Sequence, residues 1–212
     1  MSELEYRIIL IGEAEVGKSN FLMKLISGKF RDNYFPTGIT DLKNIRLEIY
    51  SDKKEKQVKL PFNIYLKETN GIKGNCSFIA RTQRKEYAFL FFYDITNRKT
   101  FNNLENYFND IVEASEQKKI CVILIGNKFD LIGKEGKKRE VTEEEAKSFC
   151  EKYNLVWGGE ISVKNMEQDK LKQLFEIYVK EIYNIVGEKY KPKAVKLENK
   201  PRNRISLCNP KY

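Results

Sequence analysis

The sequence predicts an α/β fold, a six-stranded, mostly parallel sheet with helices on both faces, and three observations carry that expectation. Apolar runs at Ile8–Ile11, Tyr87–Tyr93 and Ile120–Ile125 lack the alternation of a half-exposed strand and read as strands buried on both faces, as parallel sheets require. Between and after them, apolar residues recur at helical spacing: Phe101, Leu104, Phe108, Ile111 and Val112, then Leu171, Leu174, Phe175, Tyr178, Ile182 and Ile185. A glycine-rich turn joins the first strand to the first helix. In this architecture a ligand binds outside the carboxyl ends of the strands.

The first strand, Tyr6-Arg-Ile-Ile-Leu-Ile11, runs into Gly12-Glu-Ala-Glu-Val-Gly-Lys18-Ser19, and an apolar helical pattern follows through Phe21, Leu22 and Leu25. This is a P-loop in the context its physics requires. Backbone N–H groups of the turn point inward at phosphate, and the helix presents its positive dipole end to the same anion. Lys18 adds a point charge, and the Ser19 hydroxyl is an oxygen ligand for magnesium on the outer phosphates. Candidate contacts here are Glu15, Val16, Gly17, Lys18, Ser19 and Asn20. The competing explanation is a chance match, which the strand before and the helix after make rare.

Leu42–Tyr50 and Val58–Lys67 alternate on either side of Ser51–Lys56, the pattern of an antiparallel hairpin and the one non-parallel pair expected. The segment Gly133–Lys138 reads as a charged surface loop. Thr142-Glu-Glu-Glu145 supplies a capping-box start for a helix reaching about Tyr153, and a last short strand lies near Leu155–Ile161. There is no internal repeat.

Asn127-Lys-Phe-Asp130 directly follows the buried run Cys121–Gly126, and so falls at the carboxyl end of a strand. A carboxylate at Asp130 can accept from the ring N–H and the exocyclic amine of guanine, a pairing adenine does not offer. Asn127 can brace this loop against the P-loop, and the stem of Lys128 can cover one face of the base. Glu160-Ile-Ser162-Val163-Lys164 follows the last strand, where a backbone N–H can meet the guanine oxygen and Lys164 can pack beside the ring.

With 212 residues, the chain is long enough for one well-buried domain, read as residues 1–187, followed by a basic tail at 188–212. No stretch has the length of a membrane span, and Met1–Tyr6 lacks the layout of a signal peptide, so a cytosolic protein is expected. Cys76, Cys121, Cys150 and Cys208 are dispersed without metal-ligand spacing and read as reduced thiols. The chain has no histidine, which excludes histidine-based catalysis. Much of the net charge of +9 comes from Lys189–Tyr212, where eight Lys or Arg face the single Glu198. That tail reads either as a solubilising end or as a reversible tether to an anionic membrane leaflet, each nearby cation contributing about 1 kcal/mol. No stacking-aromatic module accompanies the charge, so nucleic acid is not expected as a partner.

Taken in order, these motifs resemble those of the Ras-like small GTPases, and within them the Rab branch, over roughly residues 5–187. The resemblance implies a P-loop small G domain that binds GTP and GDP with magnesium. Asp32-Asn-Tyr34-Phe-Pro-Thr37 is similar to the first switch, whose threonine closes on magnesium and the terminal phosphate, and Phe30 matches the aromatic that lies against guanine. Tyr93-Asp-Ile-Thr96 and Phe101-Asn-Asn-Leu104 are similar to Rab sequences. The second switch corresponds to Glu68-Thr-Asn-Gly71-Ile72, so Gly71 is a nucleotide contact and the metal set becomes Ser19, Thr37 and Glu68. An exchange factor, a GTPase-activating protein and effectors are the implied partners, and peripheral contact with the cytosolic face of endomembranes is the implied location.

The chain departs from the family pattern at several places. Ile72 stands where the family has the glutamine that orients the attacking water, so no catalytic residue is assigned and intrinsic hydrolysis should be slow. Glu68 replaces an aspartate and carries one more methylene toward magnesium, which tolerates little misplacement. Glu15 replaces a position commonly glycine, and its carboxylate is expected in solvent rather than beside phosphate. Gly38-Ile-Thr-Asp-Leu42 alters the Rab signature after the first switch, and Cys208 does not form a prenylation box. The reading is a slow guanine-nucleotide switch acting in vesicle or membrane traffic. The alternative is a pseudo-GTPase acting as a recognition module. A P-loop kinase or adenine-specific ATPase would not need Asn127 and Asp130.

Overall fold

A computed structural model describes residues 4–33, 43–53, 56–69, 88–115, 120–134 and 136–186. Its elements are β1 (Leu4–Ile11), α1 (Lys18–Ser27), β2 (Lys43–Lys53), β3 (Lys56–Glu68), β4 (Ala88–Asp94), α2 (Arg98–Asn102), α3 (Leu104–Ala114), β5 (Cys121–Asn127), α4 (Glu143–Tyr153), β6 (Val156–Glu160) and α5 (Gln168–Val186). A short 3₁₀ turn spans Phe129–Leu131. The six strands form one sheet in the order β2-β3-β1-β4-β5-β6. Only β2 and β3 pair antiparallel; every other neighbouring pair is parallel.

Strands β4 and β5 are buried along their whole length, which explains their unbroken apolar composition. Alternate residues serve opposite faces. Ile8, Leu10, Leu90, Phe92, Ile123 and Ile125 meet Phe21 and Leu25 of α1 and Phe175, Val179 and Ile182 of α5. Ile9, Ile11, Phe89, Phe91, Val122 and Leu124 meet Leu104, Tyr107 and Ile111 of α3 and Ala146 and Cys150 of α4. Cys121 and Cys150 are buried free thiols.

Three details differ from the sequence expectation. The hairpin strands continue to Lys53 and Lys56, into the charged stretch Ser51–Lys56 expected to interrupt them. Backbone ladder bonds do not require apolar side chains. The helical pattern from Phe101 to Val112 is broken at Asn103, which ends α2 and starts α3. Val112 is 44% exposed, and Tyr107 fills the inward stripe instead. Tyr107 lies three residues from Leu104 and four from Ile111, whereas Val112 is rotated one residue past the stripe. The α4 capping box forms as expected: the Glu145 N–H donates to Thr142 Oγ1 at 3.2 Å and the Thr142 N–H to Glu145 Oε2 at 2.8 Å.

The register sets the position of the site. Leu10 pairs with Glu68 and Asp94 with Asn127, so the carboxyl ends of β1, β3, β4 and β5 come together at one edge. The loop Gly12–Gly17 leaves β1 at that edge.

Candidate nucleotide site

A cleft of about 330 Å³ opens at the carboxyl edge of the sheet. On one side it is lined by Glu15, Gly17, Lys18, Ser19 and Asn20, and on the other by Phe30, Asn127, Lys128, Asp130 and Lys164. Val16 and Val163, 0% and 1% exposed, stand behind it and fix the two loops in the core.

The phosphate side is built by close backbone approach. A Cβ at Gly12 would fall 2.3 Å from the Phe92 carbonyl oxygen, and one at Gly17 would fall 2.2 Å from Asn127 Nδ2. Glu15 has φ +66° and is exposed, so a non-glycine residue occupies the left-handed region. Lys18 is 5% exposed, and its ammonium donates to the carbonyls of Gly12 at 2.8 Å and Glu13 at 2.6 Å. The Glu13 carboxylate turns away from the loop interior and accepts from Asn103 Nδ2 and the Tyr107 hydroxyl, each at 2.8 Å.

Glu68 lies beside Ser19 and Lys18. It is 4% exposed, and burial pushes its carboxyl above the usual range, while a hydrogen bond with Ser19 and the charge of Lys18 oppose that rise. A buried carboxylate beside a hydroxyl is a hard-oxygen donor pair and suits magnesium. Among the described residues no group of three or more acidic, cysteine or histidine side chains forms a metal cage. A cation here would therefore rest on Ser19, Glu68 and phosphate oxygens.

The base side is laced together by side chains. Asn127, 3% exposed, donates from Nδ2 to the Val16 carbonyl at 2.8 Å and accepts from the Val163 N–H on Oδ1 at 3.1 Å. One amide thus ties the P-loop to the loop after β6. The Val163 N–H is engaged with Asn127 in this geometry. Lys128, at φ +70°, pairs with Asp94 at 2.8 Å, and Asp94 also accepts from the Thr96 N–H and hydroxyl. Ser162 Oγ donates to Asp130 at 2.5 Å and accepts from the Asn165 N–H at 3.0 Å, so it aims the Asp130 carboxylate. Lys164 pairs with Asp32 at 2.5 Å, and its ammonium lies 5.9 Å from the Phe30 ring centre.

Residues 7–184 match the model of the Ras family. The chain belongs to the Ras family. Individual Ras-family relatives carry Rab names. The chain is 28% identical to the Ras-related protein RabC of Dictyostelium discoideum over 182 residues, covering 85% of each chain. It is 26% identical to Ras-related protein Rab11A of Lotus japonicus over 193 residues, covering 87% of this chain and 74% of the relative. It is 28% identical to Ras-related protein RABA5a of Arabidopsis thaliana over 184 residues, covering 87% of this chain and 76% of the relative. This is a Rab-like member of the Ras superfamily of small GTPases.

Among the Ras-family positions named from the sequence, Tyr34, Thr37, Gly71 and Ile72 lie outside the described residues, as does the whole basic tail at 188–212. Sequence reasoning missed Asp94, Glu13, Lys24 and Thr69, each of which the fold brings to the cleft or its support. Only Lys24 left a signal, because a lysine three residues after Phe21 falls on the inward face of α1.

Proposed function

We propose that this chain is a Rab-type guanine-nucleotide switch that holds GTP or GDP with magnesium and hydrolyses GTP slowly by itself. The observation that carries the reading is Asn127, which joins the P-loop to the Asp130 and Ser162 loops across one cleft. On this reading, Lys18 shifts from the Gly12 and Glu13 carbonyls to the outer phosphates, and the N–H groups at the start of α1 meet the same oxygens. Asp130, aimed by Ser162, accepts from the guanine edge, and Phe30 and the Lys164 stem enclose the ring. Ser19, Thr37 and Glu68 hold magnesium, which when bound neutralises phosphate charge. Ile72 offers no hydrogen bond to an attacking water, so the triphosphate state is long-lived until a GTPase-activating protein supplies polar groups in trans.

The Rab-like relationship supports an exchange factor and effectors as partners and a role in vesicle or membrane traffic. Among the described residues no helix is long and apolar enough to cross a membrane. Residues 188–212 act as a basic tail that meets the cytosolic face of endomembranes reversibly.

A second reading, a pseudo-GTPase recognition module, draws on Glu68, whose longer carboxylate is already engaged with Ser19. Single-turnover hydrolysis of bound GTP separates the two, with the native chain compared against Ile72→Gln. Slow native turnover that the variant clearly accelerates supports the switch. Retained GTP with both proteins inert moves the assignment to the module.

A further inference from the structure

Among the described residues two lysines are buried, and only one of them, Lys18, belongs to the P-loop. The other is Lys24, 8% exposed, in the middle of α1. An ammonium leaves water favourably only where oxygens or ring faces replace its hydration. Lys24 Nζ donates to the Lys164 carbonyl at 2.7 Å and stands 5.8 Å from the centre of the Phe30 ring. The Lys164 ammonium lies 5.9 Å from the same ring, so Phe30 has a buried cation and a half-exposed one within reach.

The neighbouring contacts have the same effect. Asn20, one turn before Lys24 on α1, donates to the Arg31 carbonyl at 2.9 Å and accepts from the Arg31 N–H at 3.0 Å. That fork fixes the backbone between Phe30 and Asp32. Asp32 then reaches Lys164 across 132 positions of sequence, with side chains 72% and 51% exposed. Helix α1 therefore grips both loops that form the base end of the cleft, and the exposed ion pair joins them at the surface.

We infer that Lys24 is a positioning residue for the base end of the nucleotide cleft, holding Phe30 and the Lys164 loop in register, with the Asp32–Lys164 pair as an outer latch. This rests on the proposed function. Lys24 touches neither phosphate loop nor metal side, so its effect belongs to ligands that carry a base. The Phe30 face accepts a purine ring by stacking, and its orientation depends on the cation behind it.

The test uses the full chain, with GDP affinity measured directly and inorganic pyrophosphate affinity measured by competition. GDP binding by the native chain is read first, and its absence overturns the proposed function itself. Lys24→Met is expected to weaken GDP about tenfold through loss of one hydrogen bond and one cation–π contact, with pyrophosphate unchanged. Lys24→Arg, which keeps both donors and charge, is expected to restore most of the loss. Equal weakening of GDP and pyrophosphate, or no weakening of either, overturns the inference. Asp32→Asn changes an exposed residue and so leaves folding intact. It is expected to raise the GDP dissociation rate about threefold and to reduce the native chain's sensitivity of that rate to salt. An unchanged rate with unchanged salt sensitivity overturns the latch, whether or not Lys24→Met folds.

Discussion

Replacing Asn127 by alanine tests the central contact of the site. The side chain is 3% exposed, and its two bonds reach the carbonyl of Val16 and the N–H of Val163, residues that are 0% and 1% exposed. Truncation leaves both backbone groups buried without that partner, at about 1–3 kcal/mol each. The expected loss is therefore about 2–6 kcal/mol, a large share of the roughly 5–15 kcal/mol that stabilises an ordinary domain. Urea unfolding followed by the fluorescence of Trp157, the single tryptophan, measures it, with and without GDP. Ligand at a hundred times Kd adds about 2.7 kcal/mol to a binding-competent chain, and the variant should gain less at the same concentration. Asn127→Asp preserves shape and the acceptor but turns an acceptor toward the Val16 carbonyl, so at neutral pH it should be no more stable than the alanine variant. A loss below about 1 kcal/mol for Asn127→Ala would show that the bridge between the two loops is not made.

Other consequences follow from single features. Glu15→Gly removes a side chain from the left-handed region and an anion from the phosphate side, so thermal stability should rise by about 1 kcal/mol and GTP should bind more tightly. Equal or weaker GTP binding would contradict that geometry. Gly17→Ala places a methyl group 2.2 Å from Asn127 Nδ2, and nucleotide titration should show binding lost or severely weakened. Arg98 and the Thr142 cap hold the Glu145 carboxyl down to about 2. Because the folded value is depressed, its contribution is full above the unfolded value near 4.5 and fades as pH falls toward 2. The pair is 44% and 40% exposed, so solvent screening keeps that contribution small. Glu145→Gln should therefore be destabilised at neutral pH, with the gap to the native chain closing in acid. A gap that persists at low pH would assign the effect to packing.

The order of elements was legible because burial on both faces leaves no freedom of composition in β4 and β5, and a stripe of period 3.6 marks α5. The P-loop and the Asn127–Asp130 run were legible for a related reason. Their backbone contacts need glycine at the points of closest approach, and their side-chain contacts need particular polar groups at fixed offsets from a strand end. Glu15 was expected in solvent, where it lies. The break at Asn103 and the exposure of Val112 were not legible, because periodicity fixes an apolar stripe only to within about one residue.

The sequence by itself determined the six-stranded α/β layout, the phosphate turn and the loop bearing Asp130. These depend on local pattern and on residue types that no neighbour can replace. Only the tertiary structure decided that Asn127 spans two loops, that Asp94 holds Lys128, and that Lys24 reaches Lys164 behind Phe30. Those partners lie 34 to 140 residues apart, and sheet register brings them together, a relation that spacing along the chain does not encode.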